Sequence, residues 1–143
     1  MPRGYRTNPS VNRYLEDKDM DHIDHALGRP VDPMGETYRN RFAIDGRLAD
    51  QMAASSHWEE FGRSGDMRFF SVTDEGRKAL AQHLKSIGDK TRKFAVEFEG
   101  YTTIVASTSP AKARYSQWIE VSDCLPHLTF FDYCRQSSVR RSA

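Results

Sequence analysis

Residues 94–107 constrain the fold more than any other stretch of the chain. Phe94, Val96 and Phe98 alternate with Ala95, Glu97 and Glu99, the period of a strand with one buried and one wetted face. Glu99-Gly100 supplies a two-residue turn, and residues 101–107 return as a second strand. Ser109-Pro110 then places an N-cap before a proline at the first helical position. The helix it opens presents Ala111, Tyr115, Trp118, Ile119 and Ser122 on one side, so Trp118 is expected in the core against Phe94, Val96 and Phe98. Pro126 ends that helix, and residues 128–133 read as a third strand. Residues 92–141 are thus expected to form a β-β-α-β unit, one helix laid across a small antiparallel sheet.

A second unit is expected over residues 37–90. Tyr38, Asn40, Phe42 and Ile44 fall on one side of an extended segment, with Arg39 and Arg41 on the other. A helix follows over 47–54. Ser56 and Glu59 have the spacing of a capping box, which predicts a further short helix through Trp58 and Phe61. Residues 62–66 are a turn and 68–72 a strand. Thr73 caps the next helix, with Asp74 and Glu75 in its first turn, a stripe of Leu80, Leu84 and Ile87, and Gly88 at its end.

Residues 1–36 contain few large apolar side chains and read as an acidic arm, with one short helix where Met20, Ile23 and Leu27 share a face. Residues 1–15 are basic through Arg3, Arg6 and Arg13, whereas 16–36 hold seven acids against Lys18 and Arg29. Asp17, Asp19 and Asp21 have the alternate spacing of a calcium loop, but His22 stands where that loop needs glycine and Gly28 where it needs a bidentate glutamate. His22 and His25 lack the further ligands of a zinc site. Cys124 and Cys134 fall at the ends of apolar stretches, where free cysteine acts as a small hydrophobe. Neither a metal nor a cofactor is expected.

The 143 residues carry 29% charged side chains and a formal charge of only +1, so bulk charge does not announce a nucleic-acid binder. A chain this short buries a smaller share of its surface than a large enzyme, which argues against a deep substrate pocket. There is no Gly-rich phosphate loop, no His-Glu-x-x-His helix and no Gly-x-Ser-x-Gly elbow. No apolar run approaches the length of a bilayer span, and the first residues lack the apolar core of a signal peptide. The expectation is a cytoplasmic, non-enzymatic binding protein that does not act at a membrane.

The segment Met67-Arg68-Phe69-Phe70-Ser71-Val72-Thr73-Asp74-Glu75-Gly76-Arg77-Lys78-Ala79-Leu80 resembles the wing strand and following helix of winged-helix proteins. The resemblance implies that residues 49–61 stand for the recognition helix and 62–66 for a very short wing. That stretch carries Asp50, Glu59 and Glu60 and no Arg or Lys, so phosphates would repel it and specific DNA binding is not expected. Tyr38-Arg39-Asn40-Arg41-Phe42 and Val72-Thr73-Asp74-Glu75-Gly76-Arg77 are similar to motifs of a family of small prophage-encoded proteins of proteobacteria. Lys112-Ala113-Arg114-Tyr115, Val121-Ser122-Asp123 and Phe131-Asp132 are likewise similar to a C-terminal module of such proteins. This resemblance implies an accessory protein with no catalytic residues, of the kind that inhibits a host defence system by binding it.

The resulting fold expectation is α+β: an arm over 1–36, a truncated winged-helix-like unit, then the β-β-α-β unit. The functional expectation is inhibition of a host protein complex, with a CRISPR–Cas effector as its sharpest form. Alternatives are a winged-helix DNA-binding regulator and a structural phage component. Glu16, Asp17, Asp19, Asp21 and Asp24 are the candidate partner-binding residues, placed to occupy a basic groove as phosphates do. Arg63 and Arg68 beside the short wing complete the set.

Overall fold

The structure, a computed structural model, describes residues 7–142; Arg3 and Arg6 lie outside the described residues. It is an α+β protein with two small antiparallel three-stranded sheets, each backing its own core. The first half runs α1 (Lys18–Ala26), β1 (Phe42–Ile44), α2 (Gly46–Ala53), β2 (Trp58–Ser64), β3 (Met67–Val72) and α3 (Asp74–Ser86). The second runs β4 (Arg92–Phe98), β5 (Tyr101–Ser107), α4 (Pro110–Ser122), α5 (Phe130–Gln136) and β6 (Ser137–Arg141).

In the first sheet β3 is central, between β1 and β2. Phe70 and Val72 point to the buried face with Trp58, and Phe42 packs there beside Trp58. Thr73 caps α3 by accepting the Gly76 N–H, and Leu80 and Leu84 carry its apolar face inward. Ile87, expected in that stripe, lies beyond the helix and is exposed.

The short helix expected through Trp58 and Phe61 is instead the strand β2. A helix would bring these two aromatics to one face, three residues apart. The strand sends Trp58 into the core opposite Val72 and turns Phe61 to the open side of the sheet. A bulge at this point lets Phe61 lie against Phe69, with ring centroids 6.2 Å apart. No helix therefore spans 49–61 to play the part of a recognition helix.

The acidic stretch packs on the body of the protein. Leu15, Ile23 and Leu27 are buried in the first core. The Val11 N–H donates to the Arg29 carbonyl and the Val31 N–H to the Pro9 carbonyl, stitching the two flanks of α1 together. Gly28, at φ +83°, ends the helix where a Cβ would overlap the Tyr38 ring. Asn8, Asn40 and Arg77 tie the connecting chain by its main-chain groups. Asn8 Nδ2 donates to the carbonyls of Asp32 and Glu36. Asn40 pairs with both the N–H and the C=O of Val72, at 2.6 and 3.0 Å. Arg77 Nη1 donates to the carbonyls of Pro33 and Gly35.

In the second sheet β4 is central, with β5 and β6 at the edges. The hairpin closes on Phe98 and Tyr101 as its sequence predicts, with both Glu99 (φ 51°) and Gly100 (φ 79°) in the left-handed region. Phe94, Val96 and Phe98 are buried against Ala113 and Tyr133. Residues 128–133 do not form the third strand. The Thr129 hydroxyl accepts the Asp132 N–H and starts the helix α5, and β6 follows it, with Val139 opposite Val96. The helix gives Tyr133, fully buried, a place over Phe98 at 4.8 Å between centroids.

The side of α4 expected to be buried is only partly so. Trp118 is half-buried and its Nε1 donates to the Leu128 carbonyl at 3.0 Å. Tyr115 and Ile119 are exposed; Ala113 is the buried residue of this helix, and Trp118 and Val121 pack partly against the same core.

Candidate partner-binding surface

The expected acidic site divides into an outer and an inner set. Asp24 is fully buried. Its two oxygens take Arg13 Nη2 at 2.6 Å, Arg13 Nε at 3.0 Å and Arg29 Nη1 at 3.1 Å. The Arg29 guanidinium also reaches Asp21 at 2.7 Å and holds that carboxyl below the usual carboxylate range. Asp24 is therefore not available to a partner. Its charge is used to close the segment onto α1, because a buried carboxylate is tolerated only when paired and hydrogen-bonded. Asp21 is committed to the same cluster.

Glu16, Asp17 and Asp19 form the outer set. All three are exposed at the start of α1, and among the described residues none makes an ion pair. Asp17 caps the helix by accepting the Met20 N–H at 3.1 Å. A shallow cleft of ≈ 210 Å³ opens beside them between α1 and α2, with Asp17, Asp19 and His22 on one wall and Gln51, His57 and Trp58 on the other. It is smaller than the usual small-molecule pocket. Among the described residues no three His, Cys, Asp or Glu side chains converge to hold a metal ion. Cys124 is exposed and Cys134 half-buried, both as free thiols.

On another side of α1 the surface is basic. His25, Arg39 and Arg41 line a second open cleft with Phe42. Burial lowers the His25 pKa, assisted by the charges of Arg39 and Arg29, so the ring is neutral at neutral pH.

Arg63 and Arg68 are placed differently from the expectation. Arg68 is only 14% exposed and forks onto Glu60 at 2.8 and 3.0 Å while also reaching Asp50 at 2.7 Å. Arg63 adds a 3.1 Å bond to the same Glu60. The Arg68 bond holds the Glu60 pKa down to about 2, with Arg63 assisting. Arg68 is thus engaged within its own hairpin, and Arg63 alone of the pair projects outward.

Sequence reasoning passed over the aromatic surface of the second half. Tyr101 and Phe131 are 79% and 70% exposed. Tyr115, Trp118 and Phe130 stack on one another at 5.3 to 5.7 Å, beside an open apolar groove with Ser107 and Ala111. One signal was present: residues 101–107 contain no charged side chain.

Compared with models of known families, with curated proteins and with solved structures, the chain has no match. No helix among the described residues is long and apolar enough to cross a membrane.

Proposed function

We propose that the protein acts without catalysis, by docking on a protein complex of its host's cytoplasm, as an inhibitor of the phage anti-defence kind. Inhibition of a CRISPR–Cas effector is its sharpest form. The observation that carries the reading is the outer acidic set. Glu16, Asp17 and Asp19 stand exposed and without ion pairs among the described residues, while the arginines behind them are already neutralised by Asp21 and Asp24. Complexes that handle nucleic acid expose Lys- and Arg-lined grooves, and a row of exposed carboxylates is complementary to such a groove.

The DNA-binding reading has less support. What supports it is the sheet order β1-β3-β2 with a helix between β1 and the β2–β3 hairpin, although no helix spans 49–61. Yet α2 exposes Asp50 as well as Arg47, and Arg68 is tied to Glu60 and Asp50. Little cationic surface is therefore left on α2 and the β2–β3 hairpin to release counterions from a duplex. No duplex shift is expected at micromolar protein and physiological salt. A sequence-specific complex lost on mutating Arg63 and Arg68 would install the regulator instead.

The direct test measures association with a purified effector complex at low and high salt. It compares the parent with a triple variant carrying Glu16→Gln, Asp17→Asn and Asp19→Asn, in which asparagine at the cap position keeps the helix start intact. Association at low salt should slow by about tenfold or more and lose its salt dependence. Unchanged kinetics in the triple variant would remove this surface from the proposal.

A further inference from the structure

We propose that β5 is the contact strand of a two-fold dimer of this chain, pairing antiparallel with β5 of a second copy about Ile104. The two sheets leave four edges, and three of them are blunted. β1 has three residues; β2 is bulged at Phe61 and carries Glu59, Glu60 and Arg63; β6 carries Arg140 and Arg141. Such devices keep sheet edges from pairing with other chains. β5 has none of them. Its seven residues, Tyr-Thr-Thr-Ile-Val-Ala-Ser, include no charge and no proline, and its register on β4 runs unbroken from Tyr101 to Ser107.

The phase of the ladder says which main-chain groups remain unused. The Ser142 N–H donates to the Lys93 carbonyl from the β6 side, so Lys93, Ala95 and Glu97 bond toward β6. Arg92, Phe94, Val96 and Phe98 then bond toward β5, on Ser107, Val105, Thr103 and Tyr101. The closing pair of the two-residue turn, Phe98 with Tyr101, gives the same phase. Thr102, Ile104 and Ala106 therefore direct their N–H and C=O groups outward.

A two-fold axis at Ile104 uses this same set. Ile104 faces Ile104 of the other copy, and Thr102 faces Ala106 in both directions. Every outward pair is a hydrogen-bonded pair of an antiparallel ladder, giving about six inter-copy bonds and a continuous six-stranded sheet. The side chains brought together are uncharged, so no like charges oppose each other. The groove lined by Ser107, Ala111, Tyr115 and Phe130 lies along the same border and extends the contact on the helix side. A second copy is favoured over a foreign strand because the pairing is self-complementary, which is what an isologous contact requires.

The test is sedimentation equilibrium on the full chain over about 1–200 µM, the range in which edge-strand dimers of modest affinity are detected. The parent should show twice the monomer mass at the upper end. The double variants Thr102→Lys/Ala106→Lys and Thr102→Glu/Ala106→Glu should each be folded monomers, because the changes oppose like charges twice across the axis. An equal mixture of the two should recover the doubled mass. Ile104→Pro, whose lost N–H is one of the outward ones, should also give a folded monomer. A parent that stays monomeric throughout the range overturns the proposal. So does a dimer that survives Ile104→Pro, or a mixture of the two folded charge variants that does not re-associate.

Discussion

The two halves of the molecule share a plan, a three-stranded antiparallel sheet backed by helices, and close it in different ways. Around Phe70 the sheet receives Leu15, Ile23 and Leu27 from chain that precedes it, and the seam is held by Arg13, Arg29, Asp21 and Asp24. Around Val96 nothing comparable wraps the sheet among the described residues. Among the described residues no ion pair lies within 92–142, and Tyr101, Tyr115 and Phe131 remain outside. A buried charge needs partners from several elements at once, and only the first half has a wrapping segment to provide them. The second half is left with apolar surface and an open edge, features that suit association.

The chain holds two tryptophans, Trp58 in the first core and Trp118 at the second, so each half has its own fluorescent reporter once the other is replaced by Phe. The largest effect is expected for Asp24→Ala. It leaves Arg13 and Arg29 without their shared carboxylate and should cost about 3–5 kcal/mol in urea unfolding followed at Trp58. Trp118 should report an undisturbed second core. Equal loss at both reporters would show one cooperative unit and end the contrast.

Trp118→Ala comes next. Because the ring is half-buried, the cost should be about 2–3 kcal/mol, below the ~3–5 typical of full burial. Urea unfolding of the second half, read by far-UV circular dichroism in this variant, gives the value. A cost near zero would mean that the stack with Tyr115 and Phe130 is not part of that core.

Acid should separate the halves further. Glu60 is held at about 2 against an ordinary 4.5, and Asp21 lies below its ordinary 3.8. Both folded values are depressed, so their stabilisation is complete above the unfolded values and is lost as pH falls through the folded ones. The first half should therefore weaken between about pH 4.5 and about pH 2 by this route. Among the described residues the second half has no such ion pair to lose. Urea midpoints at the two reporters, compared at about pH 6 and about pH 3, measure the difference. Equal declines would assign the acid sensitivity elsewhere.

The smallest effect, and one of opposite sign, concerns Tyr133. Its hydroxyl is buried without a hydrogen-bond partner among the described residues, and burial raises its pKa. Tyr133→Phe should be neutral or stabilise the second half by up to ~1 kcal/mol. A clear loss of stability would imply that the hydroxyl has a partner after all.

The parts of this fold that could be read from sequence are those decided within a few residues. Glu99-Gly100, Thr73 before Asp74, and Ser109-Pro110 each state a turn or a helix start locally, and each is where it was expected. The misreadings have a common physical origin. Ser56 with Glu59 offered a cap, but the demand that Trp58 pack on Val72 prevailed over it. Residues 128–133 had strand-like composition, yet the Thr129 cap and the burial of Tyr133 favoured a helix. For the site, local reading found the carboxylates without being able to sort them. Asp19 is exposed and Asp24 buried because of where Arg13 and Arg29 come to rest, eleven and five residues away from Asp24 in sequence.

Asn8, Asn40 and Arg77 grip mostly peptide groups, Arg77 adding the Thr37 hydroxyl, and this shapes how the chain tolerates change. A carbonyl is the same group whichever residue bears it, so the exposed positions Met34 and Glu36 are free to vary in side chain without loosening the grip. Adding or deleting a single residue there would carry the carbonyls of Pro33, Gly35 and Glu36 out of reach. Among variants of this protein, length between Asp32 and Asn40 should be held more tightly than composition. The three polar residues that measure this length should be as intolerant of replacement as Phe70.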